Sequence, residues 1–321
     1  MTIQQNVSLS EVLFYKIGGS AKVLLIIENQ DDLIQAFEYI EKNHIQKIMP
    51  IGLGSNLLMS DSGFDGAVLW FSKPTELLIK SSSDGLITSF ASHLLDDVIQ
   101  YSFQNQLQGL EWAGGLPSTI GAAIRGNVGC FGSEIKDFCV SAEVFEFQNG
   151  KVQQKKFTPA NLQFSYRNSI IKQQKNLIVS SVQFQLYPAD ESGIEKAKEV
   201  YTSNIEYRKT HHPVEYPSCG SVFKNIVKKD EVEKIVSVWP DTQKNVSQRW
   251  HGKVAIGYII DRLGFTGMQV GGAQVSEKHS NYIINKGGAK FDDVFSIILQ
   301  IKEKFFQTFG FEPEQEVEIV Y

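Results

Sequence analysis

The sequence predicts an α+β protein in three regions, and three observations predict it. At 321 residues the chain is long for one core. Up to about residue 70, strand-like and helix-like patterns alternate as in a small α/β unit, whereas the stretch from about 71 to 208 mixes short strands, longer β runs and helices. The Pro-bearing link Pro213 to Pro217 then sets off a C-terminal region. The expected divisions are 1–70, 71–208 and 209–315, with the closing strand 316–321 returning to the first.

The elements follow in order. Ala21 to Ile27 reads as a strand, and Asn29 can cap a helix that carries Asp31 and Asp32 in its first turn. Leu33, Phe37 and Ile40 then share one helical face. Lys47 to Ile51 and Ala67 to Phe71 are further strands. Short strands near Leu77 and Ile87 precede an amphipathic helix at Leu94 to Asn105. A glycine-rich segment, Gly109 to Gly132, leads into β runs at Val140 to Phe147 and Leu177 to Leu186, with Asn149-Gly150 marking a hairpin turn. A helix spans Ser192 to Arg208. Beyond the link lie a helix at Lys253 to Leu263 closed by Gly264, a strand at Asn281 to Asn285, and a helix at Asp292 to Phe309 closed by Gly310. The last strand is Glu316 to Tyr321.

Composition narrows the function. The formal net charge is −5 and no Lys/Arg-dense stripe stands out, so no nucleic-acid partner is expected. No apolar run approaches the roughly 20 residues of a membrane span, and Met1 to Glu11 is too polar for a signal peptide. A cytoplasmic protein is expected, with Cys130, Cys139 and Cys219 as free thiols. No His/Cys cluster has metal-ligand spacing, so no metal is expected.

Four segments carry possible chemistry. In Ile51 to Leu58, I-G-L-G-S-N-L-L, two glycines followed by Ser55 and Asn56 after a strand suit a turn that cradles a diphosphate. The segment lacks both the Walker A ending and the third Rossmann glycine. In Gly114 to Gly121 and Asn127-Val128-Gly129, small residues let backbone approach a flat ligand, and Ser118 and Thr119 offer hydroxyl donors. Within Phe164 to Ser169, Arg167 offers a bidentate fork for a carboxylate. In Pro217 to Asn225, P-S-C-G-S-V-F-K-N, Ser221 sits at what reads as a sharp turn. Phe223 stands where a hydrolase elbow needs its second glycine, so hydrolase chemistry is disfavoured. Taken singly, each segment is more often a tight turn, a packed glycine or a surface cation.

In this order the segments, with Tyr15 to Ala21 (Y-K-I-G-G-S-A), Asp61 to Gly66 (D-S-G-F-D-G), Gly271 to His279 (G-G-A-Q-V-S-E-K-H) and Glu316-Val317, resemble the UDP-N-acetylenolpyruvoylglucosamine reductase (MurB) family over essentially the whole chain. The resemblance implies an FAD-binding fold of the vanillyl-alcohol-oxidase (PCMH) type in two subdomains, followed by a C-terminal α/β domain for the UDP-sugar. It implies FAD held noncovalently, NADPH as electron donor, and reduction of an enolpyruvyl ether to a lactyl ether in peptidoglycan synthesis, hence a part in cell-wall biogenesis, cell shape and division. A monomer is expected, with a dimer left open.

Residue by residue, the resemblance makes Ser221 the proton donor, Arg167 the stabiliser of the developing enolate and Glu316 the acidic group near the substrate carboxylate. It places Gly52, Gly54, Ser55, Asn56, Leu57, Gly115, Pro117, Ser118, Thr119, Gly121, Asn127, Gly129 and Arg208 on the cofactor. Tyr166, His211, Lys224 and Asn225 fall on the substrate. The departures are Ser118 and Ala122 in place of two glycines, Cys130 and Phe131 in the N-A-G-A-Y-G stretch, and His211 where some members have lysine. The short run from Arg167 to Arg208 implies the subtype without a tyrosine-bearing loop. No His or Cys lies in Ile51 to Leu58 to bond a flavin covalently, and His93 and Cys130 are the nearest candidates. Two alternatives stand beside this reading. One is another flavin oxidoreductase of the same fold, and the other is a nucleotide-sugar binder without catalysis.

Overall fold

A computed structural model describes residues 1–74, 76, 79–148 and 151–321. Contacts gather the chain into two compact units. The first comprises Met1–Val7, Ala21–Leu53 and Phe64–Thr210, and the second comprises Ser8–Ser20, Gly54–Gly63 and His211–Tyr321. The closing strand Glu318–Val320 pairs in parallel with Leu57–Met59, and both strands lie in the second unit.

In the first unit, a four-stranded sheet runs in the order Thr2–Ser8, Ser20–Ile27, Phe64–Phe71, Ile48–Ile51. The last three strands are parallel, which their apolar runs and the helical crossover require. That crossover is the helix Gln30–Lys42. The Asn29 side chain accepts from Asp32 N–H at 3.0 Å, and Leu33, Phe37 and Ile40 are buried, all as the sequence predicts. A second, antiparallel sheet has the order Lys151–Phe157, Cys139–Gln148, Leu177–Gln185, Leu86–Phe90, Lys80–Ser81. Helices Leu95–Gln104 and Ile120–Gly126 contribute Val98, Ile99, Ala123 and Ile124 to one core shared with both sheets. The strand expected near Leu77 and the hairpin turn at Asn149-Gly150 lie outside the described residues.

In the second unit, the antiparallel order is Ser218–Ser221, Tyr282–Asn285, Ala273–Val275, Gln269–Val270. The helix Phe291–Phe309 buries Val294, Ile297, Ile298, Ile301 and Phe305 in the same core as Ile283 and Val275. It ends at Gly310 with φ +73°, as a left-handed cap requires. Two expected elements are shorter than their patterns suggest. The helix starts at Ile256 rather than Lys253, because Val254 exchanges backbone hydrogen bonds with Ile226. The last strand starts at Glu318 rather than Glu316, because the Glu316 and Val317 N–H groups donate to Val222 O instead.

The Y-K-I-G-G-S-A and D-S-G segments are packing devices of this second unit. A Cβ on Gly19 would stand 2.1 Å from Asp61 O, and one on Gly63 the same distance from Ser20 O. Tyr15 is fully buried, its Oη donates to Ile283 O at 2.8 Å, and its own carbonyl accepts from Asn285 Nδ2. Burial, with Cys219 beside it, pushes the Tyr15 hydroxyl well above the usual tyrosine range. Tyr15→Phe strips a buried carbonyl of this donor, so it is expected to cost about 1–3 kcal/mol in a denaturant titration. A loss below about 0.5 kcal/mol would show that another group takes the donor's place.

Candidate active site

In the first unit, Gly52 follows the strand Ile48–Ile51, and a Cβ on it would stand 2.4 Å from Thr119 Oγ1. Thr119 is buried and caps the helix Ile120–Gly126, with its Oγ1 accepting from Ala122 N–H. The backbone around it is tied down. Ile120 N–H donates to His93 O, Gly121 N–H to Ala91 O, and Leu95 N–H to Ser118 O. A Cβ on Gly121 would press on Ala91 Cβ at 2.9 Å, so a glycine there lets the helix approach its neighbour. The Ser118 hydroxyl turns back to Thr119 O at 2.9 Å. The result is a small-residue turn tied by backbone bonds, with the Ser118 and Thr119 hydroxyls buried in it, and its close-packed backbone fits a flavin dinucleotide. Gly52→Ala is expected to cost about 1–3 kcal/mol by overpacking and to lower flavin retention. An unchanged ratio of flavin to protein absorbance after gel filtration would show slack in the loop.

Two arginines of this unit, Arg167 and Arg208, meet the short hairpin Gly129–Glu134. Arg167 occupies the turn Ser165–Asn168 at φ +56°, half-buried, with Nη2 donating to Gly129 O at 2.6 Å. Its guanidinium also lies over the Tyr166 ring, 5.1 Å from the centroid. Arg208, on the helix Glu191–His211, donates through Nε to Gly114 O and through Nη2 to Cys130 Sγ. Gly115, at φ +72°, has the Arg208 stem against it. Asn127, expected on the cofactor, is a buried brace. Its Nδ2 donates to Ser165 O and Glu134 Oε2, and its Oδ1 accepts from Lys136 N–H. Any flavin contact by Asn127 therefore falls to its backbone.

In the second unit, Gly54, at φ +65°, leads through Ser55 and Asn56 into the strand Leu57–Met59. Asn56 Nδ2 donates to Glu316 O, and Glu318 N–H donates to Asn56 O. Ser221 ends the strand Ser218–Ser221. The expected sharp turn is a bulged strand end, with Gly220 at φ +73° and Ser221 paired to Tyr282. A Cβ on Gly220 would meet Ser55 O at 3.6 Å. Glu316 N–H donates to Val222 O at 2.8 Å, which sets half-buried Glu316 beside the residue that follows Ser221. Lys224 pairs with Glu314, while Asn225 Oδ1 accepts from Ile256 N–H. His211 is exposed at the end of its helix. The Cys219 thiol is buried and pushed up to about 12 by burial, a packed side chain rather than a nucleophile.

Several supporting residues left no mark in the sequence. Asn281 grips Phe223 from both sides, with Oδ1 accepting from Phe223 N–H and Nδ2 donating to Phe223 O, so it fixes the strand end that carries Ser221. His212, His279 and Tyr282 pack as a ring cluster with centroids 5.0 to 5.4 Å apart. Burial lowers the His279 pKa, and His279 Nδ1 accepts from Asn281 N–H. No local pattern marks this cluster, because His212 lies some 67 residues before His279 and Tyr282 along the chain.

A model of the UDP-N-acetylenolpyruvoylglucosamine reductase C-terminal domain matches residues 212–320, and an FAD binding domain model matches residues 21–155. A UDP-N-acetylenolpyruvoylglucosamine reductase of Lactobacillus gasseri is 31% identical over 318 residues, covering 99% of this chain and 94% of its own length. That of Nostoc punctiforme is 32% identical over 322 residues, covering 99% and 86%. A crystal structure of UDP-N-acetylenolpyruvylglucosamine reductase from Thermus caldophilus matches all of both chains with a TM-score of 0.73 at 24% identity. At that identity the structure speaks for the fold, and the expected α+β, FAD-binding fold is borne out.

Proposed function

The chain belongs to the UDP-N-acetylenolpyruvoylglucosamine reductase (MurB) family and is an FAD-dependent oxidoreductase of peptidoglycan synthesis, and from that premise we propose how its residues divide the work. The reaction converts the enolpyruvyl ether of a UDP-sugar to a lactyl ether. When bound, FAD supplies the hydride exchange. In this reading Gly52, Gly115, Pro117, Ser118, Thr119, Gly121 and Gly129 are the cofactor residues of the first unit, and Gly54, Ser55, Asn56 and Leu57 are those of the second. The stretches 1–70 and 71–208 are the two flavin subdomains, and the region from 209 is the sugar-nucleotide domain.

Hydride addition at the alkene carbon farther from the carboxylate leaves negative charge on the carbon beside it. Ser221 Oγ–H is the proton donor for that carbon. Arg167 lowers the energy of the charge while it is delocalised into the carboxylate. Glu316 acts beside that carboxylate, either as the protonated acid or through an intervening hydrogen-bond donor. Tyr166, His211, Lys224 and Asn225 contact the substrate, with Lys224 drawing on a cation already paired with Glu314. The observation that carries these roles is the bond from Glu316 N–H to Val222 O, which supports Glu316 and Ser221 acting on one substrate group.

NADPH as reductant, action as a monomer and a cytoplasmic setting complete the proposal. The three free thiols support that setting, and no helix among the described residues is long and apolar enough to cross a membrane. A visible spectrum tests the whole. The flavin band should bleach with NADPH and return when the enolpyruvyl substrate is added. A band that NADPH bleaches but the substrate does not restore would overturn the activity. Acid precipitation should leave the yellow colour in the supernatant. His93 is buried with Nδ1 on Ser89 Oγ, and Cys130 Sγ donates to Trp112 O, contacts that support noncovalent binding.

A further inference from the structure

The residues Gly129 to Glu134 form a two-residue hairpin in which Cys130 pairs with Ser133 and Gly129 with Glu134. Its tip is Phe131-Gly132, at φ +52° and +91°. Such a hairpin needs positive φ at both central residues and is ordinarily filled by Asn, Asp or Gly. A phenylalanine at the first of them is strained, and backbone strain of this kind persists where surrounding contacts hold it.

Those contacts come from two arginines. Three consecutive hairpin residues each take one: the Gly129 carbonyl accepts from Arg167 Nη2 at 2.6 Å, Cys130 Sγ accepts from Arg208 Nη2 at 3.0 Å, and the Phe131 ring lies 5.5 Å from the Arg208 guanidinium carbon. Tyr207 closes on the Phe131 ring edge-on at 5.5 Å. The Cys130 Sγ–H in turn donates to Trp112 O at 3.4 Å, and Arg208 Nε is anchored on Gly114 O at 2.9 Å. The exposed position of Phe131 gives it no core to fill, so its ring serves Arg208.

We propose that the hairpin 129–134 is a holder for Arg167 and Arg208, with Cys130 and Phe131 as positioning residues that set Arg167 for the anionic substrate group and Arg208 for the cofactor. This rests on the role given above to Arg167. Burial raises the Cys130 thiol, while Arg208 and Arg167 pull it back, so the thiol reports on whether the guanidinium groups stay in place.

The test uses the flavin-loaded protein. Cys130→Ala and Phe131→Asn are each expected to lower kcat for the enolpyruvyl half-reaction about tenfold with a smaller change in KM, while the melting temperature of Phe131→Asn holds or rises. Cys130→Ser should recover most of the loss. In an Arg208→Gln background, Phe131→Asn should change kcat less than twofold, because the contact it removes is already gone. Independently of activity, the pH at which iodoacetamide alkylation of Cys130 is half-maximal, read by mass spectrometry of its peptide, should move upward in Arg208→Gln and in Phe131→Asn. Cys139 and Cys219 are buried with thiols pushed up to about 12, so Cys130 is the one labelled first. Additive kinetic losses, or an alkylation profile unmoved by both variants, would overturn the holder. A normal kcat in Arg167→Lys with the alkylation shift and the Phe131–Arg208 coupling intact would remove the role of Arg167 and leave the hairpin's grip on Arg208 standing.

Discussion

Ser221→Ala slows turnover of the enolpyruvyl substrate on the order of 10²-fold or more, while reduction of the flavin by NADPH proceeds at its normal rate. A 10²-fold loss corresponds to about 2.7 kcal/mol of transition-state stabilisation. The substitution removes one hydroxyl at a strand end whose backbone is held by Tyr282, Asn281 and Glu316, so the fold should be indifferent to it within about 0.5 kcal/mol. Stopped-flow measurement of the two half-reactions separates the cases. Equal rates for wild type and variant in the substrate half-reaction would return Ser221 to the role of a bulge residue.

Arg167→Lys lowers kcat more than it raises the substrate KM, again by roughly 10²-fold, if the charge it meets develops only after hydride addition. The guanidinium holds Gly129 O through Nη2 and presents a planar fork, whereas a lysine keeps the charge on a single ammonium and loses that geometry. The NADPH half-reaction should change little. A variant with normal kcat and lowered stability would make Arg167 structural. The next cation to test is then Lys224, which is paired with Glu314.

Much of the fold was legible wherever burial imposes a clean period. The helix Gln30–Lys42 announced itself by its cap and its buried face, and Phe291–Phe309 by a long apolar stripe closed with glycine. The helices Lys229–Val238 and Thr242–Gln248 were not read, because they bury only Val232, Ile235, Thr242 and Val246, too few to build a period. The strand Ser218–Ser221 reads as a turn in the sequence because its ladder partner, Tyr282–Asn285, lies far along the chain and a glycine at positive φ reads locally as a break. The glycine-rich segments stood out in the sequence, but their division of labour did not. Gly19 and Gly63 serve close backbone packing, and Asn127 braces the turn that carries Arg167. The grip of Cys130 and Phe131 on Arg208 depends on a long helix returning to a hairpin some 78 residues earlier, which no local pattern encodes.

The interleaving of the chain bears on the order in which it can mature during synthesis. The second unit's core contains Tyr15, Ile17 and Leu58 together with Val294, Ile301 and Val317. The Tyr15–Ile283 bond alone joins residues 268 positions apart. The early segments 8–20 and 54–63 therefore leave the ribosome long before these partners exist, and their shared core must wait until residues up to about 317 are made. The first unit has all its strands once residue 188 has emerged and can form on its own schedule. A fragment beginning at residue 211 carries most of the second unit's helices yet lacks the tyrosine and the strand that complete it, so the unit is a product of the whole chain rather than a module that can be cut away.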